Sequence, residues 1–451
     1  MSGAHATLAD WMAESHLLNT ATGALALVGD SSENFDPGTA GFTTLSLGAA
    51  RGHHRQLHGH DHPRERHVSG RRRRWHAAPV QYQCPHRGQH RRRGQRRRGH
   101  RDPRAEQRPE RDDHHCRGDA AGGGNGSTTG SLDSTSDIVA NGTLAFNRSD
   151  TVTFSLPVSG TGGITQAGTG ILILNGGSNT YATTAINRGT LRLGANNTLP
   201  TTGALTIGTS GAAGTAGTFD MSTFSQTVGS LSFRTTISAV TNTITIGTGQ
   251  TLTVNGAFNV GVAGQSGITT KAIISGAGTL NVNNTATNFE AGIQNADQNT
   301  TQNVASLDMS GLANFSANVN EFRVGYGSQI GTTLKLASTS NTITANVVQI
   351  SNTINNNAQA CFVTFGNGTN VIATDTMNIA VSKGVATMNF ASQAAGSPGT
   401  LVIGGKSGTK TNFIIANSAA SSTGATPTAT LDFRGHNTTI TAGSGDPEHA
   451  Q

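Results

Sequence analysis

The chain has 451 residues, 59 of them Gly, with 12% charged and 5% aromatic residues and a formal net charge of +6. So little charge, with Gly on no three-residue period and no apolar run of 18, excludes a helical bundle, a coiled coil, collagen and a membrane-spanning helix. The charge is local: residues 51–118 hold 20 of the 26 Arg and 12 of the 16 His, and the remainder is weakly acidic, with no basic face for nucleic acid.

Residues 1–50 read as a short β-rich piece. They begin without a signal peptide: residues 1–30 contain no Lys or Arg, and Asp10 and Glu14 interrupt any apolar core. The expectation is a start upstream of Met1 or a protein that stays inside. Ala24 to Val28 is apolar and ends at Gly29-Asp30, and Phe42 to Leu47 alternates apolar with polar residues and ends at Gly48.

Residues 51–121 break that texture. Leu57, Val68 and Val80 are the only large aliphatics between Arg51 and Gly118. They cannot bury enough surface to offset chain entropy, which predicts a disordered basic insert. A nucleic-acid arm using Arg71 to Arg74 and Arg91 to Arg98 is one reading of it. A metal site at Cys84-Pro85-His86 and His114-His115-Cys116 is another, without the paired ligand spacing such sites show. A third is translation out of frame. Read one nucleotide later, the codons of Gln81 to His90 can spell Asn-Thr-Asn-Ala-Leu-Thr-Gly-Ala-Asn. Those of Cys116 to Ala120 can spell Ala-Gly-Gly-Thr-Leu, which ends in the Gly-Thr-Leu that stands in frame at 189–191. The third reading accounts best for a β texture that stops and restarts on either side.

Residues 122–445 are built of short alternating segments, such as Ile171-Leu172-Ile173-Leu174, Thr190-Leu191-Arg192-Leu193, Ala204-Leu205-Thr206-Ile207 and Thr251-Leu252-Thr253-Val254. Many open with Gly-Thr-Leu and end at Gly, Asn or Ser. Segments that cannot bury their own faces must stack on neighbours. The expectation is an all-β parallel solenoid, with coils of unequal length and Asn amides laddered at the turns; a string of β-sandwiches is the rival. Leu172, Leu174, Leu191, Leu193, Leu205, Ile207, Leu252 and Val254 are its expected core. Residues 446–451 fall off the pattern as a tail.

The unit at 163–194 carries Gly168-Thr169-Gly170-Ile171-Leu172-Ile173-Leu174-Asn175-Gly176-Gly177-Ser178-Asn179-Thr180-Tyr181, then Ile186-Asn187-Arg188-Gly189-Thr190-Leu191-Arg192-Leu193-Gly194. It resembles the autotransporter-associated β-strand repeat. It departs at Ala182-Thr183-Thr184, where that family usually has Thr-Gly-Gly-Thr-Thr. The match is strong over roughly 120–210. The resemblance implies a right-handed parallel β-helix in an exported bacterial surface protein, without catalytic residues. Such chains usually bring a signal peptide and a closing barrel, so a fragment of a longer reading frame is expected.

No catalytic, cofactor-binding or metal-binding residue is assigned, and no cofactor is expected. Gly29-Asp30-Ser31-Ser32 and Asp446-Pro447-Glu448-His449 have the types of an esterase nucleophile and its partners. That chemistry needs a strand–helix scaffold of which this chain shows no sign. A carbohydrate-active enzyme on the same fold would need clustered carboxylates, whereas Asp220, Glu290, Asp308, Glu321 and Asp375 lie scattered. Tyr181, Tyr326, the Phe residues and Cys361 read as core. Surface polysaccharide or other cells are the expected partners; no nucleic acid and no membrane span are expected.

Overall fold

The computed structural model describes residues 23–27, 45–49, 114–116, 120–121, 126–129, 132 and 138–443. The last range excludes 211–213, 235–239, 262–268, 295–302, 328–329, 354–358, 393–397 and 419–425. The chain divides into two units, Met1–Gln83 and Cys84–Gln451. In the first, Gly23–Leu27 pairs in parallel with Leu45–Ala49.

The second unit is a stack of β-coils, and every strand pairing described in it is parallel. From Gly217 onward each coil lays a strand segment on each of three faces, while the coils at 171–186 and 189–207 have strands on two. On the first face Ile171–Leu174 lies against Gly189–Leu193, and Gly189–Leu193 in turn against Gly217–Asp220. On the second, Thr251–Val254 lies against residues 279–282 of the next coil. On the third, Phe258–Val260 lies against Phe289–Gln294. In the later coils one long strand bends from the second face to the third, as in Leu312–Gly327 and Ser340–Thr353. The described residues contain no α-helix; one 3-10 turn spans Lys406–Gly408.

Alternation builds these strands. In Ile171–Leu174 and Thr251–Val254 every second side chain points inward, and small polar or β-branched residues face out. All eight expected core residues are buried, none more than 1% exposed. Coil length is free while register is not. Contacts from one coil to the next span 20 residues at Asn141–Thr161, 28 at Arg192–Asp220, 35 at Asn283–Asn318 and 37 at Thr374–Thr411. This is why the repeat looks loose in sequence. The expected Asn ladder is present at a corner. The Asn341 amide donates to Ala337 O at 2.7 Å and Asn370 Oδ1 at 2.8 Å, and Asn370 donates to Gly366 O at 2.9 Å.

A column of left-handed residues runs along the third face. Gly261, Gly292, Gly325, Ser351, Ala380 and Ala416 occupy matching register positions on successive coils, with φ of 106, 74, 67, 57, 55 and 50°. A left-handed residue resets the in-and-out alternation of its strand. Val324 and Gly325 are therefore both buried, and Arg323 and Tyr326 both face outward. Side chains three apart then share one side, which an unbroken strand forbids.

In the second unit the first pairings among the described residues are those of His114–Cys116, which lies against Ile138–Ala140, and of Ala120–Ala121, which lies against Thr143–Phe146. These strands fall inside the stretch read as a basic insert. A ladder needs only extended backbone, so residues without large apolar side chains can extend it. The rest of 51–121 and the tail 446–451 lie outside the described residues.

Candidate functional site: a polar network on the third face

The outward column one residue before the buried layer of the third face reads Asn259, Glu290, Arg323, Gln349 and Asn378. Arg323 is its centre. Its Nη1 donates to Glu290 Oε1 of the preceding coil at 3.0 Å, and its Nε to Glu321 Oε2 of its own strand at 2.9 Å. The guanidinium lies over the Tyr326 ring, 4.4 Å from its centroid, because Gly325 has turned that ring outward. Gln349 Nε2 donates to Glu321 Oε2, and Asn352 Nδ2 donates to Gln349 Oε1 at 2.7 Å. Beside this column Asn288, Asn320 and Asn346 form an amide chain, Asn346 to Asn320 at 2.9 Å and Asn320 to Asn288 at 3.3 Å. Lys406 donates to Asn346 at its far end and pairs with Asp375 at 3.3 Å.

Burial pushes the Glu321 carboxyl up, but the hydrogen bonds from Arg323 and Gln349 and the Arg323 charge outweigh it, leaving the carboxyl below its ordinary value. Burial pulls the Arg323 guanidinium down, and its hydrogen bond to Glu321 with the charges of Glu321 and Glu290 lifts it above its ordinary value. Both groups are held charged. The arrangement offers an ordered, charged hydrogen-bonding surface with one aromatic ring. Glu321, held ionised, is not a carboxyl poised to give up a proton at neutral pH.

The carboxylates scattered in sequence are thus partly gathered. Glu290 and Glu321 meet at Arg323. Asp220 pairs with Arg192 at 2.7 Å and Asp308 with Lys335 at 2.9 Å, both on the first face. Two aromatic expectations are corrected. Tyr326 is half-buried on the outer surface because of the left-handed residue before it, and Phe362 is 43% exposed at an outward position of Ala360–Phe365. Tyr181 is buried, its hydroxyl 3.0 Å from Thr184 Oγ1, and Cys361 is a buried thiol that is not in a disulfide. Residues 29–32, 84–86 and 446–449 lie outside the described residues. Sequence reasoning passed over Arg323, Gln349 and Asn352. Glu321 and Arg323 stand two apart on one strand and were readable as a pair; Glu290, 33 residues from Arg323, was not.

Among the described residues no group of three His, Cys, Asp or Glu side chains is placed to hold a metal ion. No helix among them is long and apolar enough to cross a membrane. Comparison with protein-family models, with curated proteins and with solved structures gives no significant match.

Proposed function

We propose that the chain is a passenger-type structural β-helix of a bacterial exported or surface protein, adhesive rather than catalytic. One observation carries this reading. The two leucine strands of the unit that resembles the autotransporter-associated repeat stack in register, Leu172 against Leu191 and Leu174 against Leu193, with all four buried. One repeat phrase then corresponds to one rung of the coil, as expected of a repeat selected for stacking. Right-handed winding is part of the proposal, because parallel strands joined by crossovers adopt that hand in nearly all folds. Adhesion would use the exposed polar faces, with surface polysaccharide or other cells as partners. The test is display: residues 114–443 fused between a signal peptide and an outer-membrane barrel. The reading expects a protease-resistant domain on intact cells that makes them clump or bind isolated surface polysaccharide. A domain that exports and folds but binds neither would overturn the adhesive part; one that fails to reach the surface while the barrel inserts would overturn the passenger part.

A second reading, a carbohydrate-active enzyme on this scaffold, is favoured by the meeting of Glu290, Glu321 and Arg323 on one outer face. It requires bond cleavage in a polysaccharide panel that is lost in Glu321→Gln. The depressed Glu321 carboxyl argues for binding over acid catalysis at this place.

A further inference from the structure

The last described coil pairs in parallel with the one before it along Thr428–Asp432 and Asn437–Ile440, and the corner between these strands is pinned by one histidine. The turn from Phe433 to His436, closed by His436 N–H to Phe433 O at 3.2 Å with Gly435 left-handed, joins Thr428–Asp432 to Asn437–Ile440. It lays the His436 ring flat on Phe390 of the preceding coil, centroids 3.8 Å apart and planes 5° apart. Both ring nitrogens are engaged. Nδ1 accepts from Gly399 N–H at 2.9 Å, and Nε2 lies 2.6 Å from Ser392 O. A carbonyl oxygen can only accept, so Nε2 carries the proton and Nδ1 is bare. These partners define one neutral tautomer.

We propose that His436 is a pH-sensitive latch that holds the last coil closed only while its ring is neutral. An imidazolium is a donor at both nitrogens, so Gly399 N–H loses its acceptor whichever way the ring is turned. Gly399 lies in close quarters: a Cβ built on it would lie 2.8 Å from Asn367 O and 2.9 Å from Phe390 Cε1, the ring under the latch. The carbonyl of the same residue accepts from Asn437 N–H at 2.9 Å, at the first rung between Thr400–Gly404 and Asn437–Ile440. Disturbing it therefore disturbs that pairing at its start. Stacking of an imidazolium on Phe390 favours the charged ring, but it leaves the two opposed donors where they are.

The charged neighbours do not offset this. Asp432 and Arg434, on the same turn, are paired with each other at 2.7 Å. The described segments beside the ring, Val385–Phe390, Thr400–Gly404 and residues 366–368, 391–392 and 398–399, contain no titratable residue in their sequence. Protonation of the ring therefore sets two donors against each other at this corner and weakens closure. Opening would free the edge of Thr400–Gly404 for pairing with another strand.

Hydrogen exchange on the full chain tests this, at pH 7.5 and pH 5.0 and corrected for intrinsic exchange. Exchange over 428–442 should rise about tenfold or more at the lower pH while 241–260 stays constant. His436→Phe keeps a ring on Phe390 and removes the acceptor, so 428–442 should exchange at the fast, acid-like rate at both pH values. Equal protection of the wild type at both pH values, or a pH response that persists in His436→Phe, would overturn the proposal.

Discussion

Phe258 and Phe289 stack face to face across two coils, centroids 4.6 Å apart and planes 7° apart, and Phe322 continues the stack at 4.4 Å and 7°. Each ring occupies the same register position on the third face, so the middle ring has an aromatic neighbour on both sides. Phe289→Ala should cost about 3–5 kcal/mol, the usual range for a buried aromatic. Phe322→Ala, two faces of the same stack away from Phe258, should be non-additive with it. Chemical denaturation of the two single variants and the double variant measures the coupling.

Leu191→Ala should cost roughly 2–5 kcal/mol, with the loss confined to its own and adjacent coils, since each coil touches only its neighbours. Exchange protection around 372–403 should be unchanged. Equal loosening there would contradict a quasi-linear stack.

Gly325→Ala should be severe. The residue sits at φ +67°, and a Cβ there would lie 2.1 Å from Cys361 Sγ. The left-handed penalty is about 1–2 kcal/mol and overpacking adds about 1–3. Cys361→Ala in the same chain should recover the overpacking part and leave the backbone part, a distinction that paired melting curves make. The Cys361 thiol, pushed up by burial, should resist alkylation in the folded wild type.

The Glu321 carboxyl is depressed on folding, so its contribution is present above the ordinary Glu value and lost as pH falls through the folded one. The window lies below about pH 4.3. Arg323→Ala should destabilise the third face by about 1–2 kcal/mol at pH 6, since hydrogen bonds to charged groups contribute about 1.5–3 and exposed pairs less. The gap between wild type and variant should narrow at pH 3. A gap that stays constant from pH 6 to pH 3 would show the arginine acting by packing alone.

The out-of-frame reading of 51–118 makes a prediction about the gene. Resequencing should reveal one insertion or deletion near codons 48–51 and a compensating one near 117–124. A clean read, with tight salt-dependent DNA binding by the segment, would favour the nucleic-acid arm instead.

The leucine rungs were legible because alternation and coil stacking use the same residues: Leu172, Leu191 and Leu252 announce both strand and core. The third face was less so. Gly261, Gly292 and Gly325 could be read as turn residues, but Ser351, Ala380 and Ala416 take the same left-handed conformation without a glycine to mark it. The alternation slips there unseen, and Tyr326 was placed in the core. The network around Arg323 was hidden for a second reason. Its partners come from neighbouring coils, and because coil length varies, no fixed spacing connects Glu290 to Arg323 or Glu321 to Gln349.

That freedom of coil length has an evolutionary side. Thr364 and Asn389 meet on the first face 25 residues apart, while Asn389 and Asp432 meet there after a longer circuit. Corners can therefore gain or lose residues by ones, twos or tens without moving a rung, whereas a single residue gained inside a strand would turn its leucines out to water. Mutations of length are sorted by where they land. Such a molecule can diversify what it presents at its corners while inheriting an unchanged spine, and corners are where a foreign loop could be spliced in.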